Sequence, residues 1–87
     1  MHCVYVLEHT RTYEIYIGKT DNLKRRVLEH NRGEQTATRR KQGTWVLIYA
    51  EVYRNKRDAD ARERKLKQHG SNKRWLIARI KFSKLED

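Results

Sequence analysis

The side chains of this sequence with chemistry to offer are two tyrosines, Tyr5 and Tyr16, a lysine at Lys19, an arginine at Arg26 with His30 four residues on, and a distant carboxylate at Glu63. As a set they suit work on phosphate. A guanidinium grips phosphate oxygens through a planar fork and does not deprotonate. A phenol, with an ordinary pKa of about 10, becomes a usable general base or water-orienting group only where cations stabilise its phenolate. Lys19 and Arg26 lie close enough in sequence to do so. His30 changes charge near neutral pH and can position a water or carry a proton, although a lone helical histidine is ordinarily a packing residue.

The overall charge points to the same partner. Twenty-one Lys and Arg against eleven Asp and Glu leave a net charge of +10 on 87 residues, a field that favours a polyanion such as nucleic acid. The longest apolar stretch, Trp45 to Ala50, is far short of the roughly 18 residues of a membrane span, so no membrane role is expected. Met1-His2-Cys3-Val4-Tyr5 enters strand-like sequence without the basic and apolar regions of a secretory signal, and the expected location is the cytoplasm. Cys3 is the sole cysteine and reads as a small buried hydrophobe. The length suits one domain, residues 1–87, with one modest core.

The elements that must position these residues follow from pattern. Val4–Glu8 and Tyr13–Lys19 alternate and are rich in Val, Ile and Tyr, which predicts a hairpin. A two-residue turn at Thr10-Arg11 would set Tyr5 directly opposite Tyr16, on one face of the sheet, whereas a one-residue slip would separate them. Asp21 or Asn22 can cap a helix from Leu23 to Asn31, ended by Gly33, with Leu23 and Val27 inward and Arg26 and His30 in a row beside them. The polar, basic segment that follows reads as a loop or short irregular helix. Trp45–Tyr53 is apolar enough for a central strand. Asn55 caps a charged helix from Lys56 to Gln68, and Ser71 caps a last short helix. The expected fold is α+β, a three-stranded, mostly antiparallel sheet flanked by helices in the order β-β-α-β-α-α.

Within the charged helix, Ala59, Glu63 and Leu66 share the stripe that should face the sheet, while Arg62, Arg64 and Lys65 can face water. An inward carboxylate needs a partner. Two readings are open: an ion pair with a nearby Lys or Arg, or a metal ligand.

Tyr5, Tyr16-Ile17-Gly18 with Lys19, Arg26 ten residues after Tyr16, His30, Glu63 and Asn72 together resemble the GIY-YIG nuclease domain, closest to its small stand-alone members. The resemblance spans nearly the whole chain. It implies a metal-dependent endonuclease that cuts DNA phosphodiesters with one Mg²⁺ or Mn²⁺, Glu63 being the only protein ligand. It also implies Tyr5 as general base or orienter of the attacking water, Tyr16 holding water or a phosphate oxygen, and Arg26 stabilising the pentavalent charge. Lys19 would polarise a phenol or bind phosphate, Asn72 would support the site, and His30 matches a histidine of some branches. The first triplet reads Cys3-Val4-Tyr5, so its glycine and isoleucine are replaced and the tyrosine remains.

Lys24, Arg25 and Arg32, then Arg39, Arg40 and Lys41, then Lys73 and Arg74 are expected to frame the active face and grip phosphates without reading bases. Trp45 and Trp75 could stack on bases but read as core. Low sequence specificity is expected, with a specificity-giving protein partner as one remedy, DNA as substrate or RNA in its place, and DNA repair or recombination as a setting. The alternative is a non-catalytic basic nucleic-acid-binding module.

Overall fold

A computed structural model describes residues 1–40, 42–68 and 70–85. Three strands, β1 (His2–His9), β2 (Ile15–Thr20) and β3 (Trp45–Tyr53), form one antiparallel sheet in the order β2-β1-β3. The central strand is therefore β1, and the expectation that Trp45–Tyr53 is central is corrected. β1 is buried on both faces from Val4 to His9, whereas β3 exposes Leu47 and Val52. Apolar content does not separate these cases, because an edge strand can still cover a core with one face.

The hairpin loop is wider than two residues. His9 Nδ1 accepts the backbone N–H groups of Arg11 and Thr12, both at 3.2 Å, and His9 N–H donates to the Glu14 carbonyl at 3.0 Å. Tyr13 takes a left-handed φ of 59° to close the loop. Tyr5 consequently pairs with Gly18, and Tyr16 with Leu7. This corrects the direct Tyr5–Tyr16 pairing, yet the register moved by two residues and side chains alternate with period two, so both phenols still share a face.

α1 (Leu23–Asn31) starts where Asn22 Oδ1 accepts the Arg25 N–H at 3.1 Å, and Gly33 at φ 75° follows its end. It covers the face bearing Tyr5, Leu7 and Trp45, with Leu23 and Val27 packed inward. A bulge at Ile48 lets both Trp45 and Ala50 join that face, which strict alternation would forbid. The opposite face, carrying Val4, Val6 and Ile17, is covered by α2 (Lys56–Lys67) and α3 (Ser71–Arg79) through Ala59, Leu66 and Leu76. Leu66 is fully buried, which contributes about 1.5–3 kcal/mol.

Asn55 Oδ1 caps α2 by accepting the Arg57 N–H at 2.8 Å. Ser71 is the first helical residue of α3 rather than its cap; Gly70 holds that position without a side-chain bond. Arg62 is only partly open to water. It forks onto Glu51 of β3 with two bonds of 2.9 Å, and Tyr49 and Tyr53 also donate to Glu51. Trp45 is core, but Trp75 is 68% exposed, because its face of α3 turns away from the apolar cluster. Glu8 is buried and accepts the Leu85 N–H at 2.7 Å, tying the C-terminal segment to the sheet. Cys3 is half-buried.

Candidate active site

Tyr5 leans across Gly18. A Cβ on that glycine would fall 2.5 Å from Tyr5 Cζ and 3.0 Å from Tyr16 Cε1, so the tyrosine pair requires a residue without a side chain there. The ring centroids of Tyr5 and Tyr16 lie 6.3 Å apart. Tyr5 is 1% exposed and its hydroxyl meets His30 Nε2 at 2.7 Å; His30, 2% exposed, meets Thr38 Oγ1 through Nδ1 at 2.6 Å. Thr38 lies in the short 3-10 turn Thr36–Thr38 and donates onward to the Gln35 carbonyl at 3.4 Å. In the tautomer with the proton on Nδ1, Thr38 Oγ1 accepts from Nδ1–H and Nε2 accepts from the phenol.

Burial raises the Tyr5 phenol well above its ordinary pKa, with Tyr16 adding to the rise and Arg26 only partly opposing it. Cations do not prevail here, contrary to the expectation that Lys19 and Arg26 favour the phenolate. Burial, seconded by Arg26, likewise lowers His30. At neutral pH the pair is a phenol and a neutral imidazole. Arg26 is half-buried beside them with Glu29 at 3.4 Å.

On the other side of β2, which is a sheet edge, a second group of charges opens to solvent. Lys19 donates to Asp60 of α2, a partner that the sequence reading missed, and Asp60 also pairs with Lys56 at 3.1 Å. That hydrogen bond raises Lys19 and lowers Asp60. Glu63 pairs with Lys67 at 3.4 Å, and Lys67 Nζ sits 5.4 Å from the Tyr16 ring centroid. Lys19, Asp60, Glu63 and Lys67 line one cleft of about 520 Å³. The i, i+3 and i, i+4 spacing along α2 puts Asp60, Glu63 and Lys67 on one side of the helix. Asp60 carried a sequence signal, a carboxylate one turn before Glu63.

Among the described residues no three His, Cys, Asp or Glu side chains gather as a metal cage. The donor set nonetheless fits a hard divalent cation that keeps most of its water. The Glu63 carboxylate borders an open cleft, with Asp60 on the same helix side, and its ion pair is long and partly solvated.

Asn72 is not part of this group. It lines a separate cleft with Arg62, Trp75, Leu76 and Arg79, because that face of α3 turns toward the Arg62 side of α2. Lys24, Arg25 and Arg32 are exposed along α1 and at its end. Arg39 donates to the Gly33 carbonyl at 3.0 Å, and Arg40 is held by Glu14 at 2.6 Å over the Trp45 ring, so these two brace the loop instead of standing clear of it. Lys41 lies outside the described residues. Lys73 and Arg74 border a cleft that Tyr16 and Lys67 also line. Thr38 escaped notice because nothing in its loop marks which hydroxyl turns inward.

The family model described as "GIY-YIG catalytic domain" matches residues 1–75. A UPF0213 protein of Clostridium perfringens is 33% identical over 87 residues, spanning 100% of this chain and 92% of its own length. A UPF0213 protein of Halobacterium salinarum is 39% identical over 69 residues, covering 78% and 87%. The solution NMR structure of the UPF0213 protein BH0048 from Bacillus halodurans superposes with a TM-score of 0.56 at 26% identity, covering 92% of this chain and 84% of that one. This chain belongs to the GIY-YIG catalytic domain family, within the nuclease superfamily of that name.

Proposed function

We propose that this protein is a metal-dependent endonuclease that hydrolyses DNA phosphodiester bonds with little sequence preference, acting in the cytoplasm in DNA repair or recombination. The observation that carries the reading is the link between the two sides of the β2 edge. Glu63 contacts Lys67, Lys67 sits over Tyr16, and Tyr16 borders the Tyr5–His30 pair.

Glu63 would hold Mg²⁺ or Mn²⁺, and the ion would supply charge neutralisation at the phosphate and a more acidic water. The protein's own residues do the rest. A water oxygen attacks phosphorus, the P–O bond to the leaving group breaks, and the products are a phosphate monoester and an alcohol. Tyr5 Oη takes one proton of that water as its own proton moves to His30 Nε2, and a second water from the open cleft protonates the leaving alkoxide to the alcohol. Such a relay needs no phenolate at rest, which the raised Tyr5 pKa disfavours. Arg26 meets the growing charge on the phosphoryl oxygens, Tyr16 orients the water, and Lys19 assists at phosphate from the Asp60 side.

One observation favours a second reading. The Glu63–Lys67 ion pair is what a non-catalytic basic nucleic-acid-binding module would keep. A partly exposed pair of this kind contributes only about 0–1 kcal/mol, so a bound cation can displace it.

Both readings meet in one experiment. Purified protein is incubated with duplex DNA, single-stranded DNA and RNA at one salt concentration, with and without Mg²⁺ or Mn²⁺. Cleavage that Glu63→Ala abolishes while binding survives supports the nuclease. Binding without turnover at any protein concentration supports the module, and undiminished cleavage by Glu63→Ala removes that residue from its role.

A further inference from the structure

The cleft bordered by Lys73 and Arg74 carries more than a charge contribution. Its volume, about 570 Å³, falls within the roughly 300–1,000 Å³ typical of small-molecule sites. Ile15 and Ile17 of β2, Leu66 of α2 and Ile77 of α3 contribute its apolar lining. Lys67, Lys73 and Arg74 also line it, and no acidic residue does so among the described residues. Lys67 and Gln68 belong equally to the cleft that holds Glu63, and Tyr16 borders the apolar one. The two cavities are therefore neighbours along one groove at the β2 edge.

We propose that the apolar cleft is a subsite for an unpaired nucleobase flanking the scissile phosphodiester. An apolar cavity with a basic rim matches a nucleotide, whose base is apolar on its faces and whose phosphate is anionic. A base inside a duplex cannot reach it without leaving the stack, a cost that is smallest where the base is bulged or single-stranded. The preferred substrate is then DNA with an unpaired nucleotide next to the cut. The subsite deepens the nuclease reading and rests on it for the position of the scissile bond.

The test uses two short duplexes, one with a bulged 2-aminopurine and one with the same base fully paired, titrated with wild-type protein in EDTA and afterwards given Mg²⁺. Binding about tenfold tighter to the bulged duplex is expected, with a change in 2-aminopurine emission and cleavage beside the bulge. Ile77→Asp should bring the ratio of the two affinities close to one, a quantity unaffected by the fraction of folded protein. Arg74→Glu, at an exposed position, should lower the same ratio. Equal wild-type affinity for both duplexes overturns the subsite, and so does a full ratio in both variants. Cleavage of either duplex in Mg²⁺ would leave the nuclease reading standing in that case. A clear preference without cleavage would keep base binding in the cleft but overturn both the nuclease and the subsite's place beside a scissile bond.

Discussion

The Tyr5 hydroxyl and the His30 imidazole, on a central strand and a helix, meet at 2.7 Å with both side chains buried. Among the described residues, the Tyr5 hydroxyl and His30 Nε2 have no other hydrogen-bond partner than each other. The contact decides what both residues can do: a phenol raised by burial and an imidazole lowered by it form a proton-sharing pair that is neutral at rest.

Tyr5→Phe removes the hydroxyl and leaves Nε2 buried without a partner. Stability should fall by about 1–3 kcal/mol, and cleavage by about 10²–10⁴-fold if the phenol carries the proton. Denaturant titration and single-turnover cleavage read the two effects separately. Cleavage within twofold of wild type would remove Tyr5 from the proton path.

Stability should depend on pH through His30. Its folded pKa is lowered, so below the unfolded value of about 6.5 the unfolded chain binds more protons than the native one, and stability falls as the pH drops through that point. His30→Asn should flatten this slope below about pH 6.5. Parallel melting curves of the two proteins measure it, and identical slopes would show that His30 titrates normally.

Gly18→Ala places a methyl group against the Tyr5 ring. The ring is buried and bonded to His30, so it cannot move aside at small cost, and a loss of about 1–3 kcal/mol is expected. Cleavage should fall in the same variant because the hydroxyl is displaced. The loss should shrink in the background of Tyr5→Ala, leaving the closer approach to Tyr16, and a double-mutant cycle detects the coupling.

Glu51 gathers Arg62, Tyr49 and Tyr53 and thereby fastens α2 to β3. Burial pushes its carboxyl pKa up, but the bonds from Arg62 and the two phenols prevail and hold it low, while Tyr53 is pushed up to about 12 by burial and that same bond. Glu51→Gln should destabilise by about 1–3 kcal/mol, less than a fully buried pair would lose, because Arg62 stays partly solvated. Pairing it with Arg62→Met should recover part of the loss in denaturant titrations. No recovery would mean that the two phenols, not the guanidinium, depend on the carboxylate.

Much of this molecule was legible in one dimension because the relevant forces are local. The caps at Asn22 and Asn55 act within three residues, and the stripes of Leu23 with Val27 and of Ala59 with Leu66 follow from helical geometry. The shared face of Tyr5 and Tyr16 survived a wrong turn length, since an even shift preserves side-chain parity. The recurrence of Tyr16-Ile17-Gly18 with Arg26 and Glu63 was enough for the family.

Other features depended on contacts between residues far apart in the chain, where no local rule operates. β1 became central because both other strands pair with it, and the bulge at Ile48 brought Trp45 onto the tyrosine face. Thr38 was selected to orient His30, Asp60 to hold Lys19, and Glu51 to take Arg62. Asn72 went to a cleft with Arg62, Trp75 and Arg79, apart from the one that Glu63 lines. Residue types and spacing determined which groups could take part in phosphate chemistry, but packing across the sheet decided which of them meet, and burial set their protonation.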